Sequence, residues 1–77
     1  MKLKTLYKYQ LTPEELEVVK IMYKTNKEIS AELNVPFWAV NSRIDRILEK
    51  TEAKNRTQAI IKSLLLGYIT LDDLEDW

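Results

Sequence analysis

Cysteine and histidine are both missing from this 77-residue chain. Without cysteine there are no disulfides, no thiolate metal sites and no cysteine nucleophile. Without histidine the commonest general base and the commonest metal ligand are gone. A single glycine leaves no glycine-rich loop to cradle a phosphate. No apolar run approaches the roughly 20 residues needed to cross a bilayer. The opening MKLKTLYKYQ lacks the apolar centre of a secretion signal. The acids cluster at helix starts, where capping explains them, and no nucleophile is paired with a base. These absences argue against an enzyme, a cofactor or metal site and a membrane partner, and predict a soluble cytoplasmic protein.

What is present is a chain that folds. Hydrophobic residues make up 45% of it, too many for intrinsic disorder, and the length suits one small helical domain whose limited core favours association. The 12 basic and 12 acidic residues cancel overall but not locally. The first ten residues hold Lys2, Lys4 and Lys8 and no acid, whereas the last eight hold Asp72, Asp73, Glu75 and Asp76 and no base. Residues 1–69 therefore carry 12 bases against eight acids, a net charge of +4 that suits a polyanionic partner.

The stretch TNKEISAELNVPFWAVNSRIDRILEK, residues 25–50, organises the rest. Thr25 and Glu28 form a capping box that starts a helix. Ile29 and Leu33 line one apolar stripe, while Ser30 and Ala31 allow a second helix to come close. Asn34 suits the left-handed conformation that ends a helix, and Pro36 forbids continuation and extends Val35. A second helix follows over about 37–50. At about 100° per residue, Phe37, Val40, Ile44, Ile47 and Leu48 share a core-facing arc. Trp38, Ser42, Asp45 and Glu49 lie opposite, with Asn41 on one flank and Arg43, Arg46 and Lys50 on the other. The pattern is a helix-turn-helix.

Before it, Thr12, Pro13 and Glu15 mark another helix start. Leu16, Val18, Val19, Ile21, Met22 and Tyr23 then cover most of that helix's circumference, leaving Glu17, Lys20 and Lys24 for water. After it, residues 51–56 read as a polar connector, Thr57 as the cap of a helix over about 58–66, and Gly67 as its terminator. Ile60, Ile61, Leu64 and Leu65 span more arc than one core contact buries. A homodimer through Ile61, Leu64, Leu65 and Tyr68 would bury the surplus; otherwise Tyr68, Ile69 and the N-terminal arm cover it. The arm, residues 1–10, brings Leu3, Leu6, Tyr7 and Tyr9 either back over the domain or, with its lysines, against a phosphate backbone. In the acidic tail, residues 70–77, Thr70 and Asp73 form another cap-like pair, and Leu71, Leu74 and Trp77 are placed to dock on the body. The tail's acids are either a solvated face or a tethered nucleic-acid mimic that weakens non-specific binding.

Leu11-Thr12-Pro13, Glu17-Val18, Asn26-Lys27-Glu28-Ile29, Leu33, Val35, Val40, Ile44, Ile47, Asn55-Arg56-Thr57 and Gly67-Tyr68-Ile69 together resemble the LuxR/GerE family of DNA-binding domains. The resemblance covers residues 11–69, and the short length is similar to the family's stand-alone, GerE-like form. It implies an all-α, four-helix domain that dimerises through its fourth helix, enters the DNA major groove with its third and regulates transcription. It also implies that Asn41, Ser42, Arg43 and Arg46 read bases or touch the backbone, with Trp38 and Lys50 on the same helix. Thr25, Asn26 and Lys27 would lie where the second helix meets phosphate, and Arg56 would contact the backbone or be solvated. Their chemistry fits, since asparagine pairs with adenine, arginine with guanine, and helix N-termini hold phosphate.

The chain departs from the family pattern at Trp38, where a basic residue is common, and at Asn41, where lysine is usual. Asp45 also stands at a position that is often basic. An exposed tryptophan beside acids suits a protein interface. The sequence thus supports two readings: a homodimeric regulator bound to double-stranded DNA, or a helix-turn-helix that engages transcription machinery or another regulator through the Trp38 surface.

Overall fold

The computed structural model describes residues 10–74. The expectations for Lys2, Leu3, Lys4, Leu6, Tyr7, Lys8 and Tyr9 of the arm, and for Glu75, Asp76 and Trp77 of the tail, lie outside the described residues. Within them the chain forms four α-helices and one short 3₁₀ turn, with no strand: α1 Pro13–Lys20, α2 Asn26–Leu33, α3 Phe37–Thr51, α4 Arg56–Leu65 and the turn Leu71–Leu74.

Each helix starts and stops for a local reason. At α1, Thr12 Oγ1 accepts from the Glu15 N–H while Glu15 Oε1 accepts from the Thr12 N–H, with Pro13 at the first helical position. The expected apolar run to Tyr23 is not helical throughout: α1 ends at Lys20, and Ile21 to Lys24 form a turn closed by the Lys24 N–H on the Ile21 carbonyl at 2.9 Å. The turn frees the Met22 and Lys24 carbonyls, which Arg56 then bonds.

Thr25 and Glu28 repeat the capping box at α2, and Asn34 ends it at φ 54°, ψ 47°. Ser30 ties the following turn shut, its hydroxyl donating to the Val35 carbonyl at 2.5 Å and its carbonyl accepting the Val35 N–H at 3.2 Å.

The cap of α4 is Asn55, not Thr57. Asn55 Oδ1 accepts the Gln58 N–H at 2.9 Å and Gln58 Oε1 accepts the Lys54 N–H at 2.9 Å, so the helix begins at Arg56. Asparagine caps as well as threonine, and glutamine three residues on completes the exchange. Gly67, at φ 78°, ends the helix as expected, with the Tyr68 N–H returning to the Ser63 carbonyl.

α3 packs against the other three helices. The core joins Val18, Val19 and Met22 of the first segment to Ile29, to Val40, Ile44 and Ile47, and to Ala59 and Ile60; Leu11, Ile69 and Leu74 close its ends. Burying each such aliphatic side chain contributes roughly 1.5–3 kcal/mol. Phe37 departs from its expected core position and is 53% exposed, because it lies in the first turn of α3, beyond the end of the core that begins at Val40. Leu71 is likewise 76% exposed, while its neighbour Leu74 docks.

Candidate nucleic-acid interface

The amino end of α2, the first half of α3 and the amino end of α4 meet in one polar chain. Arg56, the first residue of α4, donates from Nη1 to Asn26 Oδ1 at 2.5 Å, from Nη2 to the Lys24 carbonyl at 2.9 Å and from Nε to the Met22 carbonyl at 3.2 Å. Asn26 Nδ2 in turn donates to Asn41 Oδ1 at 2.6 Å. Burial lowers the Arg56 pKa below its ordinary value, which leaves it a cation at neutral pH. The resemblance implied that Arg56 contacts the DNA backbone or is solvated. The structure turns its guanidinium inward, where it joins α4 to the turn before α2, a contact spanning more than thirty residues that no local signal announces.

The other expected site residues divide by what holds them. Thr25 is occupied by its capping box, its N–H and hydroxyl both donating to Glu28 Oε1 at 3.0 Å. Those bonds hold the Glu28 carboxyl below the usual range. Lys27 and Arg46 take no side-chain partner among the described residues, and both are exposed. Arg43 leans away toward α1, 3.7 Å from Glu14. Ser42 is half-buried, whereas Asn41, Asp45 and Glu49 are exposed.

Lys50 sits at the far end of α3, 2.7 Å from Glu15 Oε1 and 3.2 Å from the Gln10 carbonyl. Burial pushes the Glu15 carboxyl up, but the hydrogen bonds from Lys50 and Thr12 and the Lys50 charge outweigh it, leaving the pKa below its ordinary value. The structure thus separates two cations the sequence grouped: Arg46 on the open face, and Lys50 tied to the α1 cap.

Trp38 is 72% exposed beside Phe37 on the first turn of α3, whose N-cap Pro36 supplies no side-chain bond. On α4, Ile61 and Leu65 are 49% and 68% exposed and Leu64 is half-buried against the core, as is Tyr68 just beyond the helix. Among the described residues no helix is long and apolar enough to cross a membrane, and no group of acids is placed to hold a metal.

Residues 9–63 match the GerE family of bacterial regulatory proteins, the luxR family. The chain is 42% identical over 60 residues to the transcriptional regulatory protein DesR of Bacillus subtilis, a match covering 75% of this chain and 30% of that protein. It is 38% identical over 60 residues to the probable transcriptional regulator ycf29 of Pyropia yezoensis, covering 75% of this chain and 27% of the other. Against the spore germination protein GerE of Bacillus subtilis it is 35% identical over 63 residues, covering 79% of this chain and 85% of GerE. The chain thus spans about a third or less of the first two relatives and most of the third. No solved structure matches it significantly.

Proposed function

The chain belongs to the luxR family of bacterial regulatory proteins and carries its GerE-type DNA-binding domain, and on that premise we propose that it is a homodimeric transcription regulator whose α3 enters the major groove of duplex DNA. One observation carries this reading: the outer side of α3, with Asn41 on one flank and Arg46 on the other, is left exposed by the other three helices, and the 2.6 Å contact between Asn26 and Asn41 sets the amino end of α2 beside it. A recognition helix in the groove with the preceding helix ending at the backbone is the geometry by which helix-turn-helix proteins dock. Arg46 supplies a cation on that face and Lys27 one at the α2 terminus. In the dimer, Ile61 and Leu65 meet their counterparts across a two-fold axis, which sets two α3 helices about one helical turn apart, roughly 34 Å, on a pseudo-palindromic site.

The test is fluorescence anisotropy of labelled mixed-sequence duplex titrated at about 50 and 200 mM salt. Affinity that falls steeply with salt is expected, with Arg46→Ala weakening binding and reducing the salt slope by about one if it contacts phosphate. A folded protein that binds at neither salt would sink the proposal.

The exposure of Trp38 and Phe37 on the first turn of α3, with the acids Asp45 and Glu49 exposed farther along the helix, favours a second reading, in which this surface takes a protein partner from the transcription machinery. Trp38→Ala separates the two. Loss of a co-purifying partner with duplex binding intact favours the protein reading, and loss of duplex affinity alone favours DNA.

A further inference from the structure

Three side chains in series leave little choice about which way Asn41 points. A guanidinium has only donors, so the Asn26 atom that meets Arg56 Nη1 is the carbonyl oxygen. The Asn26 nitrogen is therefore the atom that faces α3, and the Asn41 atom receiving it at 2.6 Å is again the carbonyl oxygen. Asn41 is exposed, and no described residue takes up its amide N–H groups. With its oxygen turned toward α2, the side chain offers its donors outward. Among the other cations near α3, Arg43 leans on Glu14 and Lys50 on Glu15, and neither Lys27 nor Arg46 bonds the Asn41 oxygen.

We infer that Asn26, itself held by Arg56, is a positioning residue that sets the base preference of Asn41, so that Asn41 selects a keto base, guanine or thymine, in the major groove. The inference rests on the DNA reading above. Guanine shows N7 and O6 there and thymine shows O4, acceptors only, whereas cytosine shows only its amino donor and adenine sets an amino donor beside its one acceptor, N7. The bidentate adenine pairing open to a free asparagine needs the amide oxygen turned to the adenine amino group, whereas the bond from Asn26 holds it toward α2. Base choice at this point is thus decided by a residue on α2 and one on α4, neither of which need touch the base.

The experiment is selection from a randomised duplex pool by the full chain and by two variants. The wild-type protein is expected to enrich a site containing one position, in each half, where guanine or thymine is favoured by roughly two- to tenfold, the worth of one net hydrogen bond. Asn41→Ala should erase the preference at that position and leave the others. Asn26→Asp keeps an acceptor for Arg56 but presents a second acceptor to Asn41, which must turn its nitrogen inward and its oxygen outward. The same position should then favour adenine or cytosine, an inversion that a merely structural Asn26 would not produce.

Adenine or cytosine at the Asn41-dependent position in the wild-type selection overturns the inference, as does a preference that Asn26→Asp leaves unchanged. A site that Asn41→Ala does not alter at any position overturns it too. If Asn26→Asp does not fold, the wild-type and Asn41→Ala selections decide alone. A pool with no enriched sequence would instead bring down the DNA reading itself.

Discussion

Glu15 shows how one side chain holds three parts of the chain. The residue is 3% exposed, and its carboxylate accepts the Thr12 N–H that caps α1 and a hydrogen bond from Lys50 Nζ at the end of α3. Removing the lysine leaves a buried carboxylate with only its capping bonds, a loss of about 1–3 kcal/mol. Lys50→Met should therefore lower the midpoint of denaturant unfolding at neutral pH, and a midpoint within error of wild type would contradict the assignment.

The same pair predicts a pH dependence. The folded Glu15 pKa lies below that of the unfolded chain, so its contribution is complete above the ordinary carboxylate range and is lost as pH falls through the depressed value. Glu28, lowered by its bonds to Thr25, acts in the same direction. Stability should fall on acidification below about pH 4. The Lys50→Met protein should lose less over that interval, a difference read by repeating the unfolding curves across pH.

At the scale of the element, both helices of the helix-turn-helix end on left-handed residues that are not glycine. Asn34 at φ 54° is a residue suited to the position, whereas Glu52 at φ 55° is not. Glu52 ends α3 because its neighbours complete the motif: the Ala53 N–H returns to the Leu48 carbonyl at 2.9 Å, and the Glu52 carbonyl accepts Lys62 Nζ at 2.6 Å. None of these bonds uses the Glu52 side chain. Glu52→Gly should relieve the left-handed strain for more than it adds in unfolded-chain freedom, a gain of about 0.5–1 kcal/mol. Thermal unfolding would report it as a Tm raised by several degrees, about 4–8 °C per kcal/mol in a domain this small. A lower Tm would mean the Glu52 carboxylate is engaged.

For the whole molecule, apart from Leu71 in the 3₁₀ turn, the exposed large apolar side chains of the described residues lie in two separate places. One is the α3 face, polar except for Trp38 and Phe37; the other is the α4 strip of Ile61 and Leu65. Ile60, next in sequence to that strip, is buried, so the two sides of α4 are distinct in duty. Replacing both Ile61 and Leu65 by glutamate should cost the isolated fold little, since both are already half-exposed or more. The double variant should sediment as a monomer with wild-type helicity and lose affinity for a two-half-site duplex while keeping weak, salt-sensitive binding. A dimer that survives both substitutions would place the association elsewhere.

Much of the fold is legible in the sequence because its signals are local. The Thr12–Glu15 and Thr25–Glu28 boxes, the left-handed Asn34 and the terminating Gly67 each involve residues within one turn of one another, so spacing alone determines them. The buried stripe Val40, Ile44 and Ile47 follows from helical period in the same way. Phe37 has the right period but the wrong end of the helix, and Thr57 lost the cap to Asn55 because two adequate caps stood two residues apart. Helix packing, by contrast, settles which cations remain for a partner and how Asn41 is turned. Arg56 reaches back to Met22, Lys24 and Asn26, and Lys50 reaches Glu15, across intervals where no pattern in the chain predicts contact. A hydrogen bond acts over about 3 Å, so side chains far apart in sequence find each other only after packing has fixed where the helices lie.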